Sequence, residues 1–280
     1  MTLENLFSLV ELMHGNKVSR RGVVHLFNKT ALFYGTIYIN EEFFKKRRPI
    51  MDFNGFQKLT LLDYPGKVAC TLFLAGCNFR CPFCHNASLV TDIDNSLVYS
   101  DEKILSYLSK RRGILEGVCI TGGEPLMRPD LEEFIKRVKA LGFFVKLDTN
   151  GSFPDRLESL IKNGLLDYVA MDIKTCPDNY PLVAGASDLD ILPIKKSVSI
   201  LKNGTLPYEF RTTIVKELHT LEDIEKIGRW IEGAPRYFLQ NFVDSGNLIQ
   251  GNLHEHDKKT LENMLEIARK FVPNAEIRGI

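Results

Sequence analysis

From Met51 onward the chain alternates short apolar runs with longer stretches whose apolar residues recur at helical spacing. Val68 to Leu74 is an apolar run bounded by Gly66 and Gly76, the mark of a buried strand. Ser100-Asp101 opens a helix with Ile104, Leu105 and Leu108 on its inner face. Gly117 to Thr121 predicts a second strand, and Pro129-Asp130 opens a helix over Leu131 to Ala140 that Gly142 stops. A strand from Phe143 to Leu147, a helix from Pro154 to Lys162 closed by Asn163-Gly164, and a strand from Tyr168 to Ile173 continue the series. A helix within Asp188 to Asn203 stops at Gly204. A strand from Phe210 to Val215, a helix from Leu221 to Ile231, a strand from Tyr237 to Phe242 and a helix from Lys258 to Phe271 complete it.

Six alternations of strand and helix predict an α/β fold with a parallel sheet and right-handed crossovers. Six units rather than eight suggest an incomplete (β/α)6 TIM-like barrel, open on one side. Polar or glycine-rich segments follow the strands at 76–86, 122–125, 148–151 and 172–175. In such barrels chemistry sits at the carboxyl ends of the strands, so these segments are expected to share one site. Residues 1–50 differ: a short amphipathic helix capped by Thr2 runs to Met13, apolar patches follow from Val23 to Ile39, and no chemistry is legible.

Composition narrows the function classes. The chain has 280 residues, 44% hydrophobic and 25% charged, enough for one large core over residues 51–280. With 36 basic and 35 acidic residues the net charge is +1, which gives no basis for a nucleic-acid or anionic-membrane partner. No apolar run approaches the roughly 18–20 residues that a membrane span requires. Glu4 and Glu11 interrupt the N-terminal apolar segment, so a signal peptide is not expected. The six cysteines are too few and too clustered for a disulfide scaffold, which favours a reduced, cytoplasmic setting.

Three of those cysteines stand in Gly76-Cys77-Asn78-Phe79-Arg80-Cys81-Pro82-Phe83-Cys84-His85-Asn86, spaced C-x-x-x-C-x-x-C. A zinc clamp usually carries a second pair of ligands downstream, and none follows here. Three thiolates on a four-iron cube would leave one iron free for a substrate or cofactor. The rival is a Cys3His zinc site using His85, which would have to aim adjacent residues at one metal. A second signal is Gly122-Gly123-Glu124-Pro125, directly after an apolar run.

The cysteine spacing, with Phe83 in the aromatic slot, resembles the radical S-adenosylmethionine (SAM) superfamily, and so does the Gly-Gly-Glu after the second strand. The lead-in Gly55-Phe56-Gln57-Lys58-Leu59-Thr60-Leu61-Leu62-Asp63-Tyr64-Pro65-Gly66-Lys67 is similar to the activating proteins of anaerobic ribonucleoside-triphosphate reductase. The resemblance covers Met51 to the end. No second block of paired cysteines precedes Gly122, so the chain looks like the compact type with a single cluster. This implies a barrel of the radical SAM type and a glycyl-radical enzyme activase. Its implied cofactors are one [4Fe-4S] cluster on Cys77, Cys81 and Cys84, and SAM. Its implied partners are the catalytic subunit of that reductase and a low-potential electron donor. Gly122, Gly123 and Glu124 would meet the SAM ammonium. Asp148 and Asn150 in Asp-Thr-Asn-Gly, Asp172 and Lys174 in Asp-Ile-Lys, and Arg211 would bind its carboxylate or ribose, or a cation beside it.

Alternatives stay open at several residues. Asp148 or Asn150 could cap a helix, Lys174 could lie on the surface, Arg80 could be a solvated loop charge, and Arg211 could form a structural ion pair. Cys70, Cys119 and Cys176 read as small buried hydrophobes. His219, His254 and His256 read as surface histidines, and Trp230 as core. The functional rivals are a radical SAM enzyme acting on another glycyl radical enzyme or on a small molecule, and a non-catalytic iron–sulfur or zinc protein. Lys45-Lys46-Arg47-Arg48 can be written as a purine-rich tract standing where a ribosome-binding site would precede Met51. Residues 1–50 are therefore expected to be translated upstream DNA rather than part of the functional protein.

Overall fold

The computed structural model describes residues 51–279, except Asn95 and Leu97. The helix expected from Thr2 and the apolar patches of residues 23–39 lie outside the described residues. In chain order the elements are β1 (Asp52–Phe53), β2 (Gly55–Thr60), β3 (Ala69–Leu74), β4 (Tyr99–Ser100), α1 (Asp101–Lys110), β5 (Gly117–Gly122), α2 (Leu131–Ala140), β6 (Phe144–Thr149) and α3 (Pro154–Lys162). There follow β7 (Tyr168–Asp172), α4 (Tyr180–Val183), α5 (Leu192–Asn203), β8 (Tyr208–Ile214), α6 (Leu221–Trp230), β9 (Tyr237–Asn241), α7 (Lys258–Arg269) and β10 (Ala275–Arg278).

Eight strands form one sheet in the order β10-β9-β8-β7-β6-β5-β3-β2. From β3 to β10 the neighbours are parallel, while β2 runs antiparallel to β3. The sheet ends at β2 and β10 instead of closing, so the open TIM-like barrel is observed. All six expected strands are present within one or two residues of their predicted bounds. The fold adds two edge strands: β2, which the sequence reading treated only as a lead-in, and β10, a seventh parallel strand.

The helices form where capping and periodicity agree. The Ser100 side chain accepts from the Lys103 N–H at the start of α1, and Thr220 with Asp223 makes a capping box on α6. In α2, Leu131, Phe134, Ile135 and Val138 recur at helical spacing and are all buried. The apolar face of the sheet and these helices enclose one large core. The other face is polar at alternate positions: Cys119 and Thr121 on β5, Lys146 and Asp148 on β6, and Arg211 on β8 bond or pair along it. Because side chains alternate along a strand, this register brings these residues of three strands to one concave surface.

Candidate functional site

The cysteine loop leaves β3 at its carboxyl end. Its first turn is fixed by Gly76, at φ +92°, whose N–H donates to the Leu89 carbonyl at 2.8 Å. Arg80 is exposed and turns back on the loop, with Nη1 2.6 Å from the Cys77 carbonyl and 2.8 Å from the Phe79 carbonyl. It braces the loop's own backbone. Phe79 and Phe83 are buried and contribute to the cavity wall. Cys77, Cys81 and Cys84 line a single cavity of about 210 Å³. Burial pushes the Cys81 thiol up to about 12 and raises Cys77 as well, against the opposing pull of Lys174 on both.

A segment after β7 forms the seat of this loop. The Arg80 N–H donates to the Ala184 carbonyl at 2.9 Å, and the Cys81 thiol lies 3.8 Å from the same oxygen. Gly185, at φ +63°, meets the Arg80 carbonyl so closely that a Cβ there would stand 2.1 Å from its oxygen. This contact is not legible in the sequence, since residues 176–187 have neither strand nor helix periodicity.

Gly122 and Gly123 do line the cavity, but their missing Cβ atoms serve a different neighbour than expected. A Cβ on Gly122 would fall 2.3 Å from the Leu74 carbonyl oxygen, and one on Gly123 would fall 2.0 Å from that of Gly76. The glycines let the end of β5 lie against the root of the cysteine loop, where the Gly123 N–H donates to Leu74 O at 2.7 Å and the Glu124 N–H to Gly76 O at 2.8 Å.

Along the concave face the charged residues form one chain. Lys146, 1% exposed, pairs with Asp148. Arg211 bridges two carboxylates, with Nη1 3.1 Å from Asp148 and Nε 2.8 Å from Asp172. Lys174 closes the chain on Asp172 at 3.0 Å. Burial alone would raise both carboxyls, but Arg211 and the flanking lysines outweigh it and hold both below the ordinary range. The place between the two aspartates is filled by the protein's own guanidinium. Lys146 was not foreseen. Its signal was the one that marked Arg211, a charge inside an apolar strand.

Residues 71–231 match the family model of the Radical SAM superfamily. The chain belongs to the radical SAM superfamily. A protein of Methanocaldococcus jannaschii, provisionally named a glycyl-radical enzyme activating enzyme, is 32% identical over 237 residues, spanning 81% of this chain and 95% of that protein. The pyruvate formate-lyase-activating enzyme of Staphylococcus epidermidis is 27% identical over 62% of this chain and 73% of its own length. Among solved structures, SuiB of Streptococcus suis bound to S-adenosylmethionine shares the fold with a TM-score of 0.55 at 17% identity, covering 75% of this chain and 52% of that one. Within the superfamily the chain is therefore of the glycyl-radical-activase type, and the superfamily works with a [4Fe-4S] cluster and SAM.

In this radical SAM chain, ten of the eleven expected site residues line the one cavity: the three cysteines, Gly122, Gly123, Asp148, Asn150, Asp172, Lys174 and Arg211. Asn150 caps no helix. Its amide donates to Asn78 Oδ1 at 2.9 Å and its oxygen accepts from the Ser152 N–H at 2.9 Å, tying the end of β6 to the cysteine loop.

Glu124 is the exception and corrects the expectation of a carboxylate facing an ammonium. It is fully buried, and its oxygens accept from the Leu126 N–H at 3.0 Å, the Thr149 hydroxyl at 2.9 Å and the Asn150 N–H at 2.6 Å. It joins the ends of β5 and β6 and does not line the cavity. Burial raises its carboxyl to about 7, against the pull of those three donors and Lys174. Glu124→Gln should therefore destabilise the fold by about 1–3 kcal/mol at neutral pH, because an amide NH2 would face the Asn150 N–H. The carboxyl pKa is raised on folding, so wild-type stability contributed here is present below about pH 4 and lost as pH rises toward 7. The variant should lack that slope. Thermal melts at several pH values check both points.

His219 is also corrected. It is buried, not on the surface: Nδ1 accepts from the Val215 N–H at 3.1 Å, which leaves Nε2 to donate to the Lys174 carbonyl at 2.8 Å. His254 is exposed and Trp230 is half-buried against the core.

Proposed function

We propose that this protein is an activase that cleaves SAM reductively and generates a glycyl radical on a partner enzyme, anaerobic ribonucleoside-triphosphate reductase. The observation that carries the reading is the convergence of three thiols from one loop with the carboxyl ends of five strands on a single cavity. The donor set fits a [4Fe-4S] cluster. Among the described residues no three His, Cys, Asp or Glu side chains converge on one metal ion, yet the three thiols share one cavity. Spread thiols suit a cube that takes one at each of three irons, and suit a mononuclear zinc poorly. Cys77, Cys81 and Cys84 would hold the cluster, and the iron charge would offset the cost of ionising buried thiols.

A cluster held there supplies the electron for cleaving SAM, and so the means of taking a hydrogen atom from a glycine. The chain's own residues do the rest. The Phe79 N–H, 3.4 Å from Cys77 Sγ, and the Asn150 amide, 3.9 Å from it, donate toward that sulfur. Asp148, Asp172, Lys174 and Arg211 form a fixed polar wall for the charged and hydroxyl groups of SAM. The lead-in from Gly55 to Lys67 supports the reductase as partner, and pyruvate formate-lyase is the second candidate, given the S. epidermidis relative. The decisive experiment reconstitutes the cluster without oxygen, reduces it, adds SAM and each candidate partner, and looks for a glycyl radical by electron paramagnetic resonance. Absence of the signal with both partners, while SAM is still cleaved, would overturn the reading.

We also propose that residues 51–280 carry this activity. The described fold is already anchored at its first residue: Met51 is buried, its carbonyl accepts from the Asp101 N–H at 2.9 Å, and β1 pairs with β4. A protein starting at Met51 should load iron and generate the radical as the full chain does. An inactive shortened protein, or native peptides from residues 1–50 found by mass spectrometry, would refute this.

A further inference from the structure

Most polar side chains on the cavity wall bond one another. Arg211 and Lys174 are paired with Asp148 and Asp172, and the Asn86 amide donates to the Gly122 carbonyl. Thr213 on β8 and Gln240 on β9 are different. They are register partners on adjacent parallel strands, both line the cavity, and both are half-buried. Among the described residues neither side chain has a hydrogen-bond partner. Two neutral polar groups thus stand side by side facing the cavity, with their hydrogen-bonding capacity unused.

Their chemistry selects a ligand class. A primary amide offers a donor and an acceptor in one plane, which complements the C=O and N–H of a peptide unit. A phosphorylated small molecule would want free cations, and the Lys and Arg of the cavity wall already hold carboxylates. A glycine has no side chain to be recognised, so a site that acts on glycine must read the main chain around it. We infer that Gln240, with Thr213 beside it, binds a main-chain amide of the peptide substrate close to the reacting glycine. This rests on the activase reading proposed above and names the contact that places the substrate.

The test is peptide binding by the reconstituted protein with SAM and no reductant, so that nothing turns over. The probe is a fluorescent synthetic peptide centred on the glycine of the candidate reductase segment, followed by anisotropy. Gln240→Leu should weaken binding by roughly three- to tenfold, the loss of one or two hydrogen bonds. Gln240→Glu keeps the shape but not the NH2 donor. It should weaken binding similarly, and it stands in if the leucine variant misfolds. N-methylating each peptide nitrogen in turn should reveal one position whose methylation weakens wild-type binding by a similar factor but leaves Gln240→Leu almost unchanged. Equal affinity for wild type and both variants, or equal methylation penalties throughout, would overturn the inference and leave the activase reading intact. A wild-type protein that binds SAM but not the peptide would sink both.

Discussion

Replacing Cys77, Cys81 or Cys84 with alanine should in each case abolish cluster assembly and, with it, all cleavage of SAM. All three thiols reach the cavity from one tightly braced loop. The remaining cysteines make the contrast. Cys70 and Cys119 are buried within β3 and β5, where burial pushes both thiols up, and Cys176 is buried with Sγ 3.1 Å from Asp223. None of the three lines the cavity. Their alanine variants should keep iron content and the visible absorption of the cluster. Full iron retention in Cys81→Ala would sink the assignment.

Arg211→Met should be the most damaging single change outside the cysteines. The guanidinium holds Asp148 and Asp172 at once, so its loss leaves two half-buried carboxylates sharing only the flanking lysines. Removing one partner of a fully buried ion pair typically costs about 3–5 kcal/mol, and this partly solvated set should cost about 2–4 kcal/mol. For a domain of this size that is a fall in Tm on the order of 10 °C. The pH dependence should weaken as well. In the wild type both carboxyls are held low, so the stability they contribute is present above about pH 4 and lost as pH falls through their depressed pKa values. Without Arg211 only the flanking lysines oppose burial, so the variant should lose less stability than the wild type as pH falls from about 7 to below 4. Arg211→Lys should rescue only in part, since one ammonium cannot reproduce the two-sided contact. Thermal melts across that range decide the matter, and a variant as stable as wild type with an unchanged pH profile would remove Arg211 from this role.

Much of the fold was legible because its central strands are short apolar runs closed by glycine, asparagine or aspartate, and its helices repeat at 3.6. The edge strands escaped for a physical reason. In β2 only Thr60 is buried, and Leu59 points to solvent, so the strand has no apolar face to advertise itself. In β10 only Ala275 is fully buried. The cavity was legible from motif positions, since ten of the eleven residues that the motifs single out line it. What the sequence could not convey was direction. Glu124 looks like a ligand because it is a carboxylate beside two glycines, yet those glycines admit backbone, and the carboxylate is consumed by three internal donors. His219 looked like a loop residue because its neighbours are polar, whereas its ring is enclosed by the carbonyl of Lys174 and the amide of Val215. Gln240 carried no motif and was found only through its register with Thr213.

The strand order also bears on how the protein is made. The three thiols belong to residues 77–84, while the walls supplied by β8 and β9 begin only at Tyr208 and Tyr237. A nascent chain therefore presents three accessible cysteines long before the enclosure that shelters them exists. Parallel sheets are intrinsically slow to form. During that interval the thiols are open to oxidation and to stray metal, and only after β9 has docked does the full pocket exist. A cluster bound by the loop would therefore be sheltered only once that last wall is in place.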